Sequence, residues 1–416
     1  MSQTEVQLIK ADAVQTGDIA NSAVTDAKIS GVASSKLTGA LPAISGAALT
    51  NLPASGKAKN FIINGAMQVA QRGTSSTSEG YQTVDRFRGD FGGTDEAPTY
   101  AQVDVASGTT PYTNGFRKAL KITNGNQTSG AGASDFIMLR YKAEAQDIAN
   151  SGWNYTSSSS NVTLQFWIKS SVAQNFYGYL ETVDGTAYLY PFETGSLSAD
   201  TWTKVTKTIS GNSNLTFNND NGQGLILVFN AFRGTDTTGS VSLNAWGAYN
   251  SSNRVPDMTS TWYTTNDATF EITGVQLEVG SVATDFEHRS FAQELVLCQR
   301  YCQTFNGDGS QGGDTQLVIS ENGTLYNASN FFCSVPLKVS MRTKPSISVT
   351  TGTNYYVFYS NKAGVDVTGS SIVMNGNSST DSVVFNHSGT TLGTSGHAIL
   401  FRINNASAKI TVQCEL

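Results

Sequence analysis

Aliphatic residues recur with a period of five from Ile9 to Ile29, in an otherwise polar stretch. A β-strand has a side-chain period of two and an α-helix one of 3.6, so neither element alone could bury a set spaced in this way. A short repeat that cannot form its own core needs neighbours, either further repeats or other copies of the chain wound about a common axis. We therefore predict an oligomeric stalk over residues 1–58, with a disordered linker as the alternative. The residues predicted to face the oligomer axis are Ile9, Val14, Ile19, Val24 and Ile29.

Beyond the stalk the pattern changes to short runs of alternating β-branched or aromatic residues. In NVTLQFWIK, for example, Val162, Leu164, Phe166 and Ile168 share one face of a strand. The runs end in Gly, Asn or Ser, which are turn residues. Many short strands with frequent turns are typical of β-sandwiches and jelly rolls. We predict an all-β chain with a jelly-roll domain over residues 59–289.

One later segment has helical spacing. Ser290 and Gln293 fit an N-terminal capping box, and a heptad-like apolar set follows. We predict a short helical neck over residues 290–305, which packs either on the necks of other subunits or on the sandwich of its own subunit. Strand-like runs then return over residues 306–416, which predict a distal β-sandwich. If the neck joins subunits, the oligomer axis also includes Phe291, Leu295, Cys298 and Cys302.

Composition narrows the possible partners. Charged residues make up only 14 % of the chain, and the formal net charge is −6. Because no cluster of basic residues could neutralise a row of phosphates, nucleic acid is excluded as an expected ligand. No apolar run approaches the roughly 20 residues that span a bilayer, and the N-terminus lacks the apolar core of an export signal, so we expect no membrane insertion. The four cysteines lack metal-site spacing and are expected to be reduced, packed thiols.

Two longer phrases bound the predicted jelly roll. NFIINGAMQVAQRGTSSTSEGYQTVDRF begins at Asn60, and VQLEVGSVATDFEHRSFAQELVLCQRY begins at Val275. They resemble the opening and the end of one domain in tail-fibre and receptor-binding proteins of tailed bacteriophages. The stalk phrases AVTDAKI and ALTNLP, and PLKVSMRTKPSISV from Pro336, also resemble parts of such fibres. The runs FWIKSS and TWTKVTKTI resemble jelly-roll carbohydrate-binding modules.

The resemblance implies a structural virion protein, namely a homotrimeric tail fibre assembled in the host cytoplasm. Its distal β domains would bind a glycan or an outer-membrane receptor on the host surface during adsorption. Its N-terminus would dock onto another virion protein of the tail or an adaptor, although the sequence departs from the usual short fibre in having no long anchoring domain before the stalk. The alternatives are a head fibre or decoration protein on the capsid, and a tail-associated glycan hydrolase.

Catalytic and metal-binding patterns are scarce. The chain has only three histidines, no G-x-S-x-G phrase and no phosphate loop. We therefore expect no cofactor, no metal site and no enzymatic activity. Glycan cleavage would require a pair of carboxylates, and the acids that come nearest to such a group are Asp85, Asp90, Asp95 and Glu96.

Sugar binding requires flat aromatic faces beside groups that hydrogen-bond to hydroxyls. Three segments combine both, namely TAYLYPFETG, NAWGAYNSSNRVPD and TNYYVFYSNK. Burial in a sandwich core is the competing explanation for each aromatic residue, and the adjacent Tyr355 and Tyr356 should face opposite ways in a strand. The candidate glycan-binding residues are Tyr188, Tyr190, Trp246, Tyr249, Asn250, Arg254, Tyr355, Tyr356 and Tyr359.

The stalk prediction can be tested by placing a charge on the stripe. Val24→Asp should weaken assembly, because a carboxylate would be buried at the shared axis without a partner. Light scattering of the purified chain measures the outcome. A fully oligomeric Val24→Asp protein would contradict the buried axis.

Overall fold

The computed structural model describes residues 60–306, 317–360, 365–388 and 393–416. The predicted stalk lies outside these residues, as do its five proposed axis positions from Ile9 to Ile29. No helix in the described ranges has the length and apolar character needed to cross a bilayer.

Two six-stranded antiparallel sheets pack face to face in the first part of the described chain. The predicted β-sandwich is therefore confirmed for this part. In spatial order the first sheet contains β1 (Ser75–Ser76), β3 (Thr99–Asp104), β4 (Lys118–Thr123), β12 (Thr269–Val279), β6 (Asn161–Ser170) and β9 (Thr203–Ser210). The second sheet contains β11 (Gly247–Ala248), β8 (Tyr188–Ser196), β7 (Asn175–Thr182), β10 (Gln223–Arg233), β5 (Phe136–Glu144) and β2 (Phe87–Gly92). Short helices lie between strands at α1 (Thr110–Thr113), α2 (Ala145–Ala149), a 3-10 turn (Thr235–Thr237) and α3 (Thr261–Thr264).

Aromatic side chains fill the space between these sheets. The alternation in β6 turns Phe166 inward, where its ring lies 4.9 Å from that of Phe229 on β10, edge to face. Phe176 on β7 meets Phe270 on β12 at 5.2 Å in the same way. All four rings are at most 2 % exposed. Such pairs contribute about 0.5–1.5 kcal/mol each beyond the burial of their area, so they help to set the register of the two sheets.

The predicted helix exists but is shorter than expected. Helix α4 spans Phe291–Gln299, and its capping box forms as predicted between Ser290 and Gln293. Cys302 already belongs to a strand, in which it pairs with Gln413. The heptad pattern therefore does not continue as a helix to residue 305, because strand pairing with the end of the chain replaces it.

Helix α4 packs on its own subunit, which was one of the two alternatives. Cys298 and Cys302 are both fully buried within the single chain. The prediction that these two residues face the oligomer axis is therefore wrong, since their own subunit already covers them. Phe291 is 56 % exposed and Leu295 is half-buried, so these two remain candidates for contact with another subunit.

The last part of the described chain forms a second, smaller sandwich around its own core. All four cysteines are free and buried, which confirms the prediction of packed thiols. A three-stranded sheet contains β13 (Cys302–Asn306), β22 (Lys409–Gln413) and β16 (Ser346–Val349). A seven-stranded sheet contains β18 (Val365–Gly369), β17 (Tyr356–Ser360), β21 (Ala398–Ile403), β14 (Leu317–Asn327), β15 (Asn330–Pro336), β20 (Ser382–Ser388) and β19 (Val373–Met374).

The two phrases that bound the first sandwich lie side by side in space. The Asn60 side chain accepts a hydrogen bond from the Leu277 amide at 3.0 Å and donates one to the Val275 carbonyl at 3.1 Å. Four residues later, Asn64 takes a left-handed backbone conformation with φ of 61°, and its backbone amide donates to the Glu294 carboxylate on α4. Asn tolerates this conformation better than most residues. The start and the end of the domain are thus joined through the Asn60 side chain, the Asn64 backbone amide and one buried acid.

Beside this contact, a buried charged cluster connects the two sandwiches. The Arg86 guanidinium is fully buried, donates to the Lys142 carbonyl at 2.6 Å and pairs with Glu415. The Cζ atom of this guanidinium lies 3.4 Å from the centroid of the Tyr301 ring. Arg72 also pairs with Glu415, at 3.0 Å. Because a buried cation is costly unless it is paired, each of these contacts depends on the others being in place.

Glu144, at the end of β5, binds the segment that follows α4. Its buried carboxylate accepts hydrogen bonds from Arg300 at 2.7 and 2.8 Å and another from the Tyr301 hydroxyl. Burial opposes ionisation of Glu144, but the hydrogen bonds from Arg300 and Tyr301 outweigh it and lower the pKa of the carboxyl. The ionised form of Glu144 is therefore part of the folded state.

We expect Glu144→Gln to lower the free energy of unfolding at neutral pH by about 1.5–3 kcal/mol, the usual contribution of hydrogen bonds to a charged group. Because the folded-state pKa is depressed, this stabilisation is present above the unfolded-state pKa and is lost as pH falls through the folded-state value. Urea unfolding from pH 7 to pH 3 measures the difference, which should shrink on acidification. Glu321→Gln, at an exposed position, is the control, and a pH-independent difference would contradict the assignment.

Candidate functional site

One face of the second sheet of the first sandwich is turned away from the core and carries charged, polar and apolar side chains. We call this surface the outer face. Strand register aligns Arg88, Arg140, Val228, Tyr179 and Pro191 in one row across five strands. The flanking positions on the same face are Asp90, Met138, Lys142, Tyr177, Glu181, Ile226, Asn230, Leu189 and Glu193.

Two arginines share one acid at the β2 side of the outer face. Asp90 accepts from Arg88 Nε at 2.6 Å through one oxygen and from Arg140 at 2.7 Å through the other. Arg88 and Arg140 lie directly opposite each other on neighbouring strands, where like charges repel. The buried Asp90 therefore stabilises a pair of cations that keep partly exposed side chains, 37 % for Arg88 and 26 % for Arg140.

The same face also carries Lys142 and Glu181. Burial together with the nearby Arg140 and Arg88 lowers the pKa of Lys142 to about 8. Burial raises the pKa of Glu181, although Arg254, Arg140 and other cations oppose that shift. The outer face thus places cations near one half-buried carboxylate, a combination that offers both donors and an acceptor to a polar ligand.

The loop between β10 and α3 covers one end of the outer face. Its Val255 is fully buried against the apolar cluster that contains Tyr179 and Leu189. Arg254 donates to the Tyr249 hydroxyl at 2.8 Å, so both side chains are held against the sheet. Between this loop and β8 lies a cavity of about 330 Å³. Its lining includes Leu189, Pro191, Trp246, Asn250 and Asn253.

The candidates from TAYLYPFETG lie mainly on the core side. Tyr190 is 3 % exposed, and its hydroxyl donates to the Thr208 carbonyl at 3.2 Å. Its prediction as a ligand contact is wrong, because the alternation of β8 turns it inward. Tyr188 is half-buried and packs against the same core. The residues of β8 that do reach the outer face are Leu189, Pro191 and Glu193.

The candidates from NAWGAYNSSNRVPD lie together beside the outer face. Trp246 is half-buried, meets Tyr190 edge to face at 5.4 Å and donates from Nε1 to the Ser210 carbonyl at 2.8 Å. Asn250 is exposed at the rim of the cavity. Tyr249 and Arg254 are half-buried and bonded to each other. This loop is therefore the one sequence-predicted segment whose candidates the fold gathers at a single surface.

The three candidate tyrosines of TNYYVFYSNK differ in how deeply they are buried. Tyr356 is fully buried and donates to the Thr350 carbonyl at 2.8 Å, so its prediction as a ligand contact is wrong. Its neighbour Tyr355 is half-buried, as the alternation along a strand requires. Tyr359 is half-buried with the Arg402 guanidinium 5.6 Å from its ring centroid. All three tyrosines belong to the second sandwich, whereas the outer face belongs to the first.

The acids considered for glycan cleavage each have a structural partner. Asp85 is buried, which raises the pKa of its carboxyl, and accepts from the Gln71 amide at 3.0 Å. Asp90 is held between two arginines, and Asp95 accepts from the Ser129 amide at 2.6 Å. Glu96 accepts from the Asn126 amide at 2.7 Å. Within the described ranges, no group of three or more His, Cys, Asp or Glu side chains is placed to hold a metal ion.

The outer face contains functional candidates that sequence reasoning missed, chiefly Arg140, Tyr177 and Glu181. A signal was present, because FIMLRYKAE and NFYGYLET alternate with a period of two and place these residues opposite the apolar ones. Nothing in the alternation says which strands become neighbours. That information comes only from the sheet order, which brings β5, β10 and β7 together.

No family model and no curated protein matches the chain. Among solved structures, an enzymatically active domain of a tailspike protein from bacteriophage CBA120 aligns with 53 % of this chain at 8 % identity and a TM-score of 0.28, and the match spans only 21 % of the tailspike chain. The N-terminal cellulose-binding domain of a Cellulomonas fimi β-1,4-glucanase aligns with 52 % of this chain at 10 % identity and a TM-score of 0.25, over 99 % of its own length. A family 11 carbohydrate-binding module of Clostridium thermocellum, solved with a β-1,3-1,4-linked tetrasaccharide, aligns with 51 % of this chain at 10 % identity and a TM-score of 0.23, over 98 % of its length. At these scores the likenesses carry no argument about function.

Two tyrosines on the same strand test the assignment of the outer face. Tyr179 is 2 % exposed, whereas Tyr177 is half-buried. We expect Tyr179→Ala to lower the free energy of unfolding by about 3 kcal/mol or more and Tyr177→Ala to cost about 1 kcal/mol or less, since only the first leaves a cavity in a packed cluster. Chemical denaturation measures the free energy of unfolding of both variants. Equal losses would contradict the placement of Tyr179 in the covered part of the face and of Tyr177 in the open part.

Proposed function

We propose that this chain is a fibre protein of a tailed-bacteriophage virion that binds a saccharide on the host surface during adsorption. In this proposal residues 1–58 assemble three chains and attach them to the particle, and the sandwich domains are displayed. The binding surface is the outer face of the second sheet together with the adjoining cavity beside Trp246.

One observation carries the choice of surface. Tyr177 supplies a partly open aromatic ring, Arg140 supplies donors and Glu181 supplies an acceptor, all on one side of three neighbouring strands. Sugar recognition needs an apolar ring face and convergent polar groups. Since β-strands hold these side chains, little conformational entropy is lost when a ligand orders them.

The phrases that resemble phage fibres support the assignment to a virion. They are separated by about two hundred residues in the sequence, and Asn60 and Asn64 join them into one hydrogen-bonded unit. The phrases therefore describe one structural element of the domain. A trimer adds strength to weak individual sites, because multivalent binding raises the effective concentration of the remaining sites.

Two other functions are kept as alternatives. A head fibre or capsid decoration protein would use the same domains without selecting a host. A glycan hydrolase would release reducing sugar from the host envelope polysaccharide. Antibody labelling of virions separates the first alternative from a tail fibre by the position of the label, and a reducing-sugar assay tests the second.

We expect the full-length chain to bind host cells and, in excess, to lower phage adsorption. Tyr177→Ala should weaken cell binding by about tenfold, the effect of losing roughly 1.4 kcal/mol of ring contact, while leaving the melting temperature near that of the wild type. The comparison variant is Tyr326→Ala, since Tyr326 is 69 % exposed on the second sandwich. Flow cytometry with labelled protein measures the binding.

The two variants also locate the site. Loss of binding in Tyr177→Ala alone supports the outer face, whereas loss in Tyr326→Ala alone would transfer the site to the second sandwich. A wild-type chain that neither binds host cells nor competes with phage would contradict the attachment function itself.

A further inference from the structure

We infer that the outer face selects an anionic saccharide, one that carries carboxylate or phosphate groups, with Arg140 and Arg254 as the residues that bind the acid. This inference rests on the proposed function, because it specifies the class of ligand for the same surface. It derives from the arginines of that surface, two of which have no carboxylate partner among the described residues.

The outer face and its covering loop contain equal numbers of cations and acids. The five cations are Arg88, Arg140, Lys142, Arg233 and Arg254, and the five acids are Asp90, Glu181, Glu193, Asp236 and Asp257. The chain as a whole has a net charge of −6. A surface with equal numbers of cations and acids therefore repels an anionic ligand less than the average surface of this acidic chain does.

Two of the arginines have no carboxylate partner among the described residues. Arg233 is 3 % exposed and uses its donors on the Asn230 and Thr237 side chains and on the Met138 sulfur. Arg254 donates to the Tyr249 hydroxyl, and its buried Nε has no hydrogen-bond partner in the described chain. Buried cations are normally paired with acids. An anionic ligand would supply the missing negative charge beside this pair.

The partly exposed arginines have the geometry to bind acids. Arg140 uses Nε and one terminal nitrogen on a single oxygen of Asp90, at 3.1 and 2.7 Å, and the described contacts of its guanidinium leave the other terminal nitrogen unused. Guanidinium groups present paired donors that match carboxylate and phosphate oxygens. Arg140 lies in the same row of the outer face as Tyr179, and Arg254 is bonded to Tyr249, which packs against the cluster that contains Tyr179. A single saccharide unit over the open Tyr177 would therefore lie beside both arginines.

Glu181 gives the site a second selective element. No described ion pair holds its carboxylate, although Arg254, Arg140, Arg233 and Lys142 all lie close enough to influence it. A carboxylate in this position accepts hydrogen bonds from sugar hydroxyls. A ligand with both an acid group and free hydroxyls would therefore bind to the arginines and to Glu181, whereas an inorganic anion would bind only to the arginines.

The test is a glycan array probed with the full-length chain, on which neutral, carboxylated and phosphorylated saccharides are all represented. We expect the bound glycans to carry acid groups, and the two acid classes on the array distinguish carboxylate from phosphate. For the strongest ligand, Arg140→Gln and Arg254→Gln should each weaken binding about tenfold or more, as expected for a charge-assisted hydrogen bond. Raising the salt concentration should weaken wild-type binding, because ions screen these contacts.

Lys204→Gln is the matched control, since Lys204 is an exposed cation on the first sheet and its replacement removes the same charge. Arg140→Lys keeps the positive charge but removes the paired donors of the guanidinium, so it tests whether binding needs those paired donors. Binding only to neutral glycans, or acidic-glycan binding that is insensitive to salt and to both glutamine variants at unchanged melting temperature, would overturn this inference and leave the proposed function intact. Binding to no glycan at all would overturn the saccharide-binding function with it.

Discussion

The arrangement of this protein depends on one fully buried guanidinium. Arg86 contacts the second sheet through the Lys142 carbonyl, the segment after α4 through the Tyr301 ring, and the last residues of the second sandwich through Glu415. Removing a cation from water is so costly that the folded state keeps it only with all its partners in place. The three segments come from sequence positions near 142, 301 and 415, so a single charge couples the closure of the first sandwich to the completion of the second.

The same region shows what the charged and amide residues of the two fibre-like phrases do. Asn60, Asn64, Asp85 and Arg86 belong to the first phrase, and their partners include Glu294 and Tyr301 in the second. Each side chain replaces a hydrogen bond that the irregular backbone at the domain boundary cannot make for itself. Glu144 extends the network to Arg300, where its ionised form is stabilised by two strong donors. The boundary of the domain is thus held together by buried polar contacts.

The outer face combines burial and exposure on single strands. Tyr179 and Val228 are covered by the loop that carries Val255, whereas Tyr177, Arg88 and Arg140 remain partly open. The covered residues fix the backbone, and the open ones are presented at strand spacing. Because the loop also holds Arg254 and Trp246, it supplies polar and aromatic groups to the edge of the same surface. This division is the physical basis for proposing this sheet, and not the apolar core, as the recognition surface.

Sequence patterning by itself determined the all-β class, the inward faces of strands such as β6, the capping box at Ser290 and the packed state of the cysteines. These features are local, since periodicity and capping depend on residues a few positions apart. It did not determine that α4 would end before Cys302, that Tyr190 and Tyr356 would be buried, or that Arg140, Tyr177 and Glu181 would share a face. Those outcomes depend on which strands become neighbours and which loop covers them. Such long-range pairings leave no signal in the spacing of any one segment, so only the tertiary structure decided them.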